Sequence, residues 1–290
     1  MGPVFQNPGG NDMGDLRIAA VCMHSKPGDL DGNLQKTENF VGKASRQGAD
    51  VVCFPELSLT GYSLSNLERL CSPQRGEECI LRITEMARIH GVVILAGLID
   101  WTEGRMPCIS QIVAGPGGLL GMHRKTHLSP SEQDVYRPGS EIGVFPSNDL
   151  RFGIQLCYEA HFPEISTLMA LQGSRVIFIP HASPRGEPGE KRESWLRHLP
   201  ARAFDNALYI VACNQVGITD LGFSFPGVAM VLSPAGRLVA EYTGNAENVL
   251  MADLKMEGLE AIRDHKMRYF LPHRRPELYG DLGTEWIKTP

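Results

Sequence analysis

Short apolar segments alternate with longer segments of helical pattern, and the same order occurs twice along the chain. Each half predicts strand, helix, strand, helix and strand, followed by a hairpin. Buried strands that alternate with helices build layered α/β folds, and two similar halves can pack sheet against sheet with their helices outside. We therefore predict an α/β protein, a four-layer α-β-β-α sandwich of two mixed sheets.

Turn residues and helix-ending glycines bound the predicted elements. The first half predicts strands at 16–23, 50–54 and 92–99, helices at 30–47 and 73–90, and a hairpin at 109–123. The second half predicts strands at 150–156, 175–179 and 209–213, helices at 163–172 and 190–206, and a hairpin at 228–242. A strand at 249–253 and a helix at 257–265 follow, and Pro200 is expected to kink the helix that contains it.

The two ends of the chain differ from this pattern. Residues 1–14 are rich in Gly, Pro and Asn and predict a flexible leader. No linker or low-complexity tract interrupts the rest, so we predict one domain over residues 15–290. The part from about 267 to 290 is expected to be an extended C-terminal tail.

The composition narrows the classes of function. Of the 290 residues, 42% are hydrophobic and 21% are charged, and the net charge of −5 argues against a nucleic-acid partner. No apolar run approaches the roughly 20 residues that cross a bilayer, and the first residues lack the pattern of a secretory signal. We expect a cytoplasmic protein without a membrane partner.

The seven cysteines include no C-x-x-C pair, and an odd number argues against a disulfide framework or a zinc knuckle. Most are expected to be buried free thiols in a reducing compartment. Cys157 differs because it lies between a predicted strand and a predicted helix. A turn there would expose its thiol near backbone N–H groups that lower its pKa. On this pattern alone, Cys157 is either a nucleophile or a buried filler.

Two charged residues follow predicted strands in a similar way. Glu56 comes directly after the strand at 50–54, and ligands gather at the carboxyl ends of strands in α/β sheets. Lys125 follows the first hairpin in a basic segment. Each alone also fits a loop carboxylate or a solvated lysine. His123 and His127 are expected to be surface or loop histidines, and the run at 185–197 is expected to be a solvated loop and helix face.

Three segments together carry a resemblance to a known family. They are PELSLTGY around Glu56, HRKTHLSPSEQDVYRPG around Lys125 and GIQLCYEAHFPE around Cys157. In this order and at this spacing they resemble the signatures of the carbon–nitrogen hydrolase (nitrilase) superfamily. The resemblance extends over residues 16–280 and implies an α-β-β-α sandwich, in agreement with the pattern of two halves.

The resemblance implies a role for each motif residue. Cys157 would be the nucleophile that forms a thioester acyl-enzyme, and Glu56 would be the general base. Lys125, together with the backbone N–H of Tyr158, would stabilise the oxyanion of each tetrahedral intermediate. Glu132 would hold Lys125 or position the substrate amide. Such a site needs neither a metal nor a cofactor.

Residues beside these motifs are candidates for substrate binding. They follow a motif, or follow the strand at 175–179, and would lie on one rim of the sheets. The candidates are Tyr62, Tyr136, Tyr158, Glu159, His161, His181 and the loop at 183–189. Trp195 fits packing better than substrate stacking.

The residues after Cys157 and the length of the chain resemble the amidase-like members of the superfamily. We expect hydrolysis of a primary amide or an N-carbamoyl amine with release of ammonia, and a nitrile substrate is the alternative. A non-catalytic binding scaffold and an acyl transferase are further alternatives. The resemblance also implies a homodimer or a higher homo-oligomer, paired through the helix at 163–172 and the helix near Trp195, with the tail at 270–280 lying across the partner.

Overall fold

The computed structural model describes residues 14–101, 105–147 and 150–279. The predicted leader, apart from Gly14, and the tail beyond residue 279 lie outside the described residues. The first half of the chain contains β1 (Leu16–Cys22), α1 (Leu30–Arg46), β2 (Val51–Cys53), α2 (Leu67–Leu70), α3 (Pro73–His90), β3 (Val93–Asp100), β4 (Cys108–Gly115) and β5 (Gly118–Arg124).

The second half repeats this order with additions at both ends. It contains β6 (Val144–Ser147), β7 (Leu150–Ile154), α4 (Pro163–Leu171), β8 (Val176–His181), α5 (Pro188–Leu196), α6 (Leu199–Asn206), β9 (Tyr209–Asn214), β10 (Gly217–Ile218), β11 (Ser224–Phe225), β12 (Gly227–Leu232), β13 (Leu238–Gly244), β14 (Asn248–Leu254), α7 (Met256–Arg263) and α8 (Pro276–Tyr279). Single 3-10 turns cover Cys157–His161 and Leu271–His273.

Two six-stranded sheets organise the fold. The first has the order β14-β1-β2-β3-β4-β5, and the second has the order β13-β12-β9-β8-β7-β6. Three consecutive strands are parallel in each sheet, β1 to β3 in the first and β7 to β9 in the second. The strands outside these sets pair antiparallel. The prediction of two mixed sheets is therefore confirmed.

Alternate residues of the second sheet pack against different layers. Phe178 belongs to the core shared with the first sheet, whereas its neighbours Ile177 and Ile179 pack with residues of α4, α5 and α6. The sulfur atoms of Cys53 on β2 and Cys213 on β9 lie 3.9 Å apart, so these strands face each other directly. Since α1 and α3 cover the first sheet, the layers run helix, sheet, sheet, helix, as predicted.

Several elements differ from the sequence prediction or add to it, among them α2, β10, β11 and α8, which were not predicted. The expected kinked helix at 190–206 is two separate helices, α5 and α6. Strand β6, which pairs with β7 at the edge of the second sheet, was not predicted. Strand β14 leaves the second half and pairs antiparallel with β1 at the edge of the first sheet.

The described part of the tail packs on its own chain. Leu271 is buried in the helix-side core of the second sheet, and the ring of Phe270 lies 5.5 Å from that of Phe204 on α6. The expectation that the tail at 270–280 lies across a partner stays a prediction. Within the described ranges, the helices are too short or too polar to cross a membrane.

Candidate active site

The expected catalytic residues follow strands that end at one edge of the sandwich. Strand β2 precedes Glu56, β5 precedes Lys125, and β7 precedes Cys157. Strand β5 has the direction of β3 because two antiparallel pairings separate them. The topology therefore brings three carboxyl ends, from both sheets, toward one place.

Glu56 lies in a tight turn above the first sheet. Leu57 has a φ of 55°, a left-handed conformation that residues other than glycine rarely adopt. Gly97 on β3 lies directly beneath this turn, and a Cβ atom there would come within 2.2 Å of the Leu57 nitrogen. The Ala182 N–H donates to Glu56 Oε2 at 3.0 Å, and Gln215 Nε2 donates to the Glu56 carbonyl at 2.8 Å. Residues of the second half therefore hold both the carboxylate and the backbone of Glu56.

Lys125 connects two carboxylates. Its Nζ donates to Glu56 Oε1 at 2.8 Å and to the Glu132 carboxylate at 2.9 Å, and all three side chains are buried. Its backbone N–H donates to the Ile109 carbonyl, and its carbonyl accepts from the Gly139 N–H, both at 2.8 Å. The ammonium is thus fixed between two acceptors, and the role expected of Glu132 in holding Lys125 agrees with this geometry.

The charges in this group favour general-base chemistry. Burial lowers the pKa of Lys125, but the carboxylates of Glu56 and Glu132 outweigh burial and raise it above its ordinary value. Burial raises the pKa of Glu56, and the Lys125 ammonium offsets only part of this effect. The group therefore combines a permanently charged ammonium with a carboxylate that binds protons more strongly than an exposed glutamate.

Cys157 begins the 3-10 turn at Cys157–His161 with a φ of 47°. A left-handed residue other than glycine costs on the order of 1 kcal/mol or more and is found where the surroundings hold it in place. The thiol lines a cavity together with Lys125 and Glu132. Burial raises the pKa of Cys157, and the negative charge of Glu56 raises it further. The expectation of a lowered thiol pKa is therefore wrong.

The cavity has a volume of about 520 Å³. Four of the six candidate substrate-binding residues line it, namely Tyr62, Tyr158, His161 and His181. Tyr136 does not line it: this side chain is buried, and its hydroxyl donates to the Ser63 carbonyl at 2.8 Å. Tyr136 therefore supports the loop that carries Tyr62.

Glu159 also lies behind the cavity wall and binds protein groups instead of solvent or ligand. Its carboxylate accepts from the Thr126 N–H at 2.7 Å, from the Thr126 hydroxyl at 2.6 Å and from the Leu156 N–H at 2.5 Å. It also pairs with His123 Nε2 at 2.8 Å, so His123 is buried and not on the surface. Burial alone would raise the pKa of Glu159, but these partners lower it to about 2. Glu159 joins the Lys125 segment to the residue before Cys157.

Several cavity residues were not predicted. Trp195, His198 and Lys191 line the wall, although the run at 185–197 was expected to be a solvated face. Arg185 also lines it, and it belongs to the loop at 183–189 that was expected on this rim. The Trp195 ring lies 4.2 Å from that of His181. The signal that could have found them is position, since this run follows β8 at the same rim as His181. Across the described ranges, acidic, histidine and cysteine side chains form no cluster suited to a metal ion.

The family model described as Carbon-nitrogen hydrolase matches residues 17–264. The chain belongs to this family. The hydrolase resemblance of the three motifs is therefore confirmed, and the chain is an enzyme that hydrolyses carbon–nitrogen bonds.

Three relatives illustrate the match. A nitrilase of Pyrococcus abyssi is 30% identical over 270 residues, which cover 91% of this chain and 99% of the relative. An N-carbamoylputrescine amidase of Solanum lycopersicum is 29% identical over 289 residues, which cover 93% of this chain and 95% of the relative. A solved structure of an amidase variant from Nesterenkonia sp. AN1, with acrylamide added at the active-site cysteine, is 26% identical. Its TM-score is 0.79, and the match covers 91% of this chain and 98% of that chain.

Proposed function

We propose that this hydrolase cleaves a primary amide or an N-carbamoyl amine through a thioester on Cys157 and releases ammonia. The observation that carries the proposal is the buried Glu56–Lys125–Glu132 group, which lies beside a cavity that Cys157 also lines. Base, cation and nucleophile are the three groups that acyl transfer requires. The acrylamide adduct in the related amidase supports a cysteine in the nucleophile role.

The first half-reaction forms the thioester. Glu56 takes the thiol proton as the Cys157 sulfur attacks the carbonyl carbon, and the oxygen becomes an oxyanion. Lys125 and the backbone N–H of Tyr158 stabilise this oxyanion. The intermediate then collapses, and Glu56 returns the proton to the departing nitrogen, so that ammonia leaves and the acyl group remains on sulfur.

The second half-reaction regenerates the thiol. Glu56 accepts a proton from water as the water oxygen attacks the thioester carbon. Lys125 stabilises the second oxyanion in the same way. Collapse breaks the C–S bond, and the proton on Glu56 returns to the Cys157 sulfur. The products are a carboxylic acid, or a carbamic acid that loses carbon dioxide when the substrate is a carbamoyl amine.

Ammonia release from matched substrates tests the proposal. Butanamide, butylurea and butyronitrile present an amide, a carbamoyl amine and a nitrile on short unbranched alkyl chains. We expect release from butanamide or butylurea, and none from any of them with Cys157→Ala. Cys108→Ala is the matched control, because Cys108 is buried on β4 and does not line the cavity. It should retain turnover.

Two outcomes would contradict the proposal. Turnover of butyronitrile without turnover of the other two substrates would favour the nitrilase alternative, which the nitrilase relative makes the second candidate. Unchanged ammonia release by Cys157→Ala would exclude Cys157 as the nucleophile. A mass increase of one acyl group on Cys157 after rapid quenching would support the thioester directly.

We also propose that the enzyme is a cytoplasmic homodimer. Free thiols persist in reducing compartments, and all seven cysteines are unpaired. Leu168 and Leu171 on α4 leave 44% and 51% of their surface exposed, beside the exposed Phe204. Light scattering should give the mass of a dimer for the natural chain and of a monomer for Leu168→Lys/Leu171→Lys. Leu81→Lys, on exposed α3 surface, should remain a dimer.

A further inference from the structure

One part of the cavity wall is positively charged. Lys191 and Arg185 both line it. In the described part of the chain, Glu132 is the one carboxylate among the lining residues, and it is already bonded to Lys125. This part of the wall therefore presents positive charge without a matching negative charge.

Lys191 is half-buried on α5 and lacks a counter-ion. Its Nζ donates to Ser183 Oγ at 2.7 Å and to the Pro184 carbonyl at 3.3 Å, which uses two of its three protons. Over the described ranges, no carboxylate lies within ion-pair distance of it. The next residue, Arg192, pairs with Glu241 at 2.6 Å. On α5, the cation that faces the cavity thus lacks a carboxylate partner among the described residues, whereas its neighbour has one.

The loop that faces Lys191 is held in place. The Asn214 side chain accepts from the Ser183 N–H at 2.9 Å and donates to the Ser183 carbonyl at 3.1 Å. Arg185 adopts a φ of 79°, and its N–H donates to the Ser224 carbonyl at 3.0 Å. Burial lowers the pKa of Lys191, and the nearby charge of Arg185 lowers it further while Cys157 opposes them. Two cations therefore share one rigid mouth of the cavity.

The same loop limits the length of a ligand. The Ala182 N–H contacts Glu56 Oε2 at 3.0 Å, and the next residue, Ser183, contacts Lys191. One residue and two hydrogen bonds separate the Glu56 carboxylate from the Lys191 ammonium, so they lie within roughly 12 Å of each other. With about 3 Å of contact at each end, a chain of at most about five carbons can lie between them.

The histidines of the wall add no positive charge near neutral pH. His181 Nδ1 lies 2.8 Å from the Ile179 carbonyl, and burial lowers the pKa of His181 well below its usual range. His198 Nδ1 lies 3.2 Å from the Ser194 carbonyl, and burial lowers the pKa of His198 to about 4. Recognition of charge in this cavity therefore depends on Lys191 and Arg185.

We propose that the substrate carries a carboxylate at the end opposite its amide, and that Lys191 and Arg185 bind this carboxylate. The inference rests on the proposed amide hydrolysis and names its substrate class, the monoamides of short dicarboxylic acids. A bound carboxylate supplies the counter-ion that the half-buried ammonium lacks, and such pairing offsets the unfavourable desolvation of the charge. A substrate with an ammonium at this end would meet charge of its own sign.

Three substrates that differ in their terminal charge test this inference. Succinamate carries a carboxylate, butanamide is neutral, and 4-aminobutanamide carries an ammonium. We expect kcat/KM to be at least about 10-fold higher for succinamate than for butanamide, since a charge-assisted hydrogen bond contributes about that much. 4-Aminobutanamide should be the poorest of the three. Equal values for succinamate and butanamide would overturn the inference while leaving the proposed amide hydrolysis intact.

Variants connect the preference to the two cations. Lys191→Gln should lower kcat/KM for succinamate by about 10- to 100-fold, mainly through KM, and reduce the ratio of succinamate to butanamide. Arg185→Gln should reduce the same ratio by a smaller factor because Arg185 is exposed. Lys43→Gln, on an exposed position of α1, is the control and should change neither value. An equal loss for both substrates in Lys191→Gln would show that Lys191 only supports the loop, and would overturn the inference.

Binding provides a readout that does not need turnover. Calorimetry of succinamate with Cys157→Ala should show binding that Cys157→Ala/Lys191→Gln lacks, and butanamide should bind both more weakly. Binding of succinamate without turnover by the natural chain would contradict the proposed function but support the carboxylate site. Turnover of butanamide without binding of succinamate would support the proposed amide hydrolysis but contradict the carboxylate site.

Discussion

At the scale of single residues, the thiol proposed as the nucleophile has a raised pKa. Burial and the charge of Glu56 both raise the pKa of Cys157, so the thiol needs a base when it attacks. Glu56 meets this need because its own pKa is raised by burial. Both the thiol and the carboxylate therefore bind protons more strongly than the same groups in water, and a more basic carboxylate is a better acceptor for the thiol proton.

Replacing Glu56 should have opposite effects on thiol ionisation and on catalysis. In Glu56→Gln the negative charge beside Cys157 is gone while Lys125 stays, so the pH midpoint for alkylation of Cys157 by iodoacetamide should fall by about 1 pH unit or more. Amide hydrolysis should fall by a factor of about 100 or more, because the base is lost. Peptide mapping after timed alkylation measures the first effect. An unchanged or higher midpoint would contradict this account of the thiol pKa.

Glu159 acts on the site through other residues. It accepts hydrogen bonds from Thr126, next to Lys125, and from Leu156, next to Cys157. Its pKa in the fold is about 2 and its ordinary value is 4.5, so its stabilising contribution is complete above pH 4.5 and is lost as the pH falls toward 2. Glu159→Gln should lower the free energy of unfolding by about 3 kcal/mol at pH 7, a difference that should shrink between pH 5 and pH 2.

Kinetics separate this positioning role from substrate binding. Glu159→Gln should lower kcat and leave KM almost unchanged, because Glu159 does not line the cavity. Urea unfolding at several pH values and steady-state kinetics measure the two effects. Glu164→Gln, an exposed carboxylate on α4, is the control for both. A rise in KM with normal kcat would instead support the substrate-binding role that the sequence predicted.

The sequence predicted the motif residues better than their surroundings. Glu56, Lys125 and Cys157 follow strands, and strand ends can be placed from the pattern of apolar residues. Glu159 and Tyr136 stand just as close to the motifs in sequence, yet both point away from the cavity. Which way a residue faces in an irregular turn depends on backbone angles such as the φ of 47° at Cys157, and no periodic pattern encodes them.

At the scale of elements, strand β3 must accept the Glu56 turn at very short range. A Cβ at Gly97 would lie 2.2 Å from the Leu57 nitrogen and 2.9 Å from the Pro55 carbonyl, both of them backbone atoms that cannot move aside as a flexible side chain could. Gly97→Ala should therefore displace the turn, lower the free energy of unfolding by about 1 to 3 kcal/mol and lower kcat. Urea unfolding and kinetics on the same preparation measure both changes.

Gly258→Ala is the matched control for this substitution. Gly258 is exposed on helix α7, and a Cβ there would have no atom within 4 Å. Alanine should stabilise this helix by about 0.5 to 1 kcal/mol, because glycine loses more backbone freedom on folding. A Gly97→Ala protein as stable and as active as the natural chain would show that the turn is not held by β3.

The break between α5 and α6 shows where sequence patterns are ambiguous. Pro200 was expected to kink one helix, but it lies in the first turn of α6, where its missing N–H leaves no hydrogen bond unmade. In a continuous helix its ring would clash with the carbonyl four residues earlier. Both a kinked helix and two separate helices satisfy this local rule. In the structure, Trp195 and Leu199 lie on either side of the break and pack into the same core.

At the scale of the whole molecule, strand β14 joins the two halves. It pairs with β1 along seven residues, so the first sheet is completed by the C-terminal half of the chain. The core between the sheets contains residues of both, including Cys53 and Phe178. The repeated pattern predicted two sheets that pack together. The pairing of β14 with β1 is a long-range contact, and local periodicity carries no information about it.

The pairing of β14 with β1 predicts that the two halves unfold together. Trp101 follows β3 in the first half and Trp195 lies on α5 in the second, so each can report on its own half by fluorescence. In one variant Trp101 is kept, and in the other Trp195 is kept, with Phe at the remaining tryptophans, including Trp286 outside the described residues. One core and one sheet span both halves. In each variant, the urea midpoint measured by fluorescence should therefore agree with the midpoint measured by circular dichroism, which reports the stability of that variant as a whole.

A midpoint by fluorescence that differs from the midpoint by circular dichroism in either variant would mean that one half unfolds first. The contacts of β14 would then contribute less to stability than the pairing with β1 indicates.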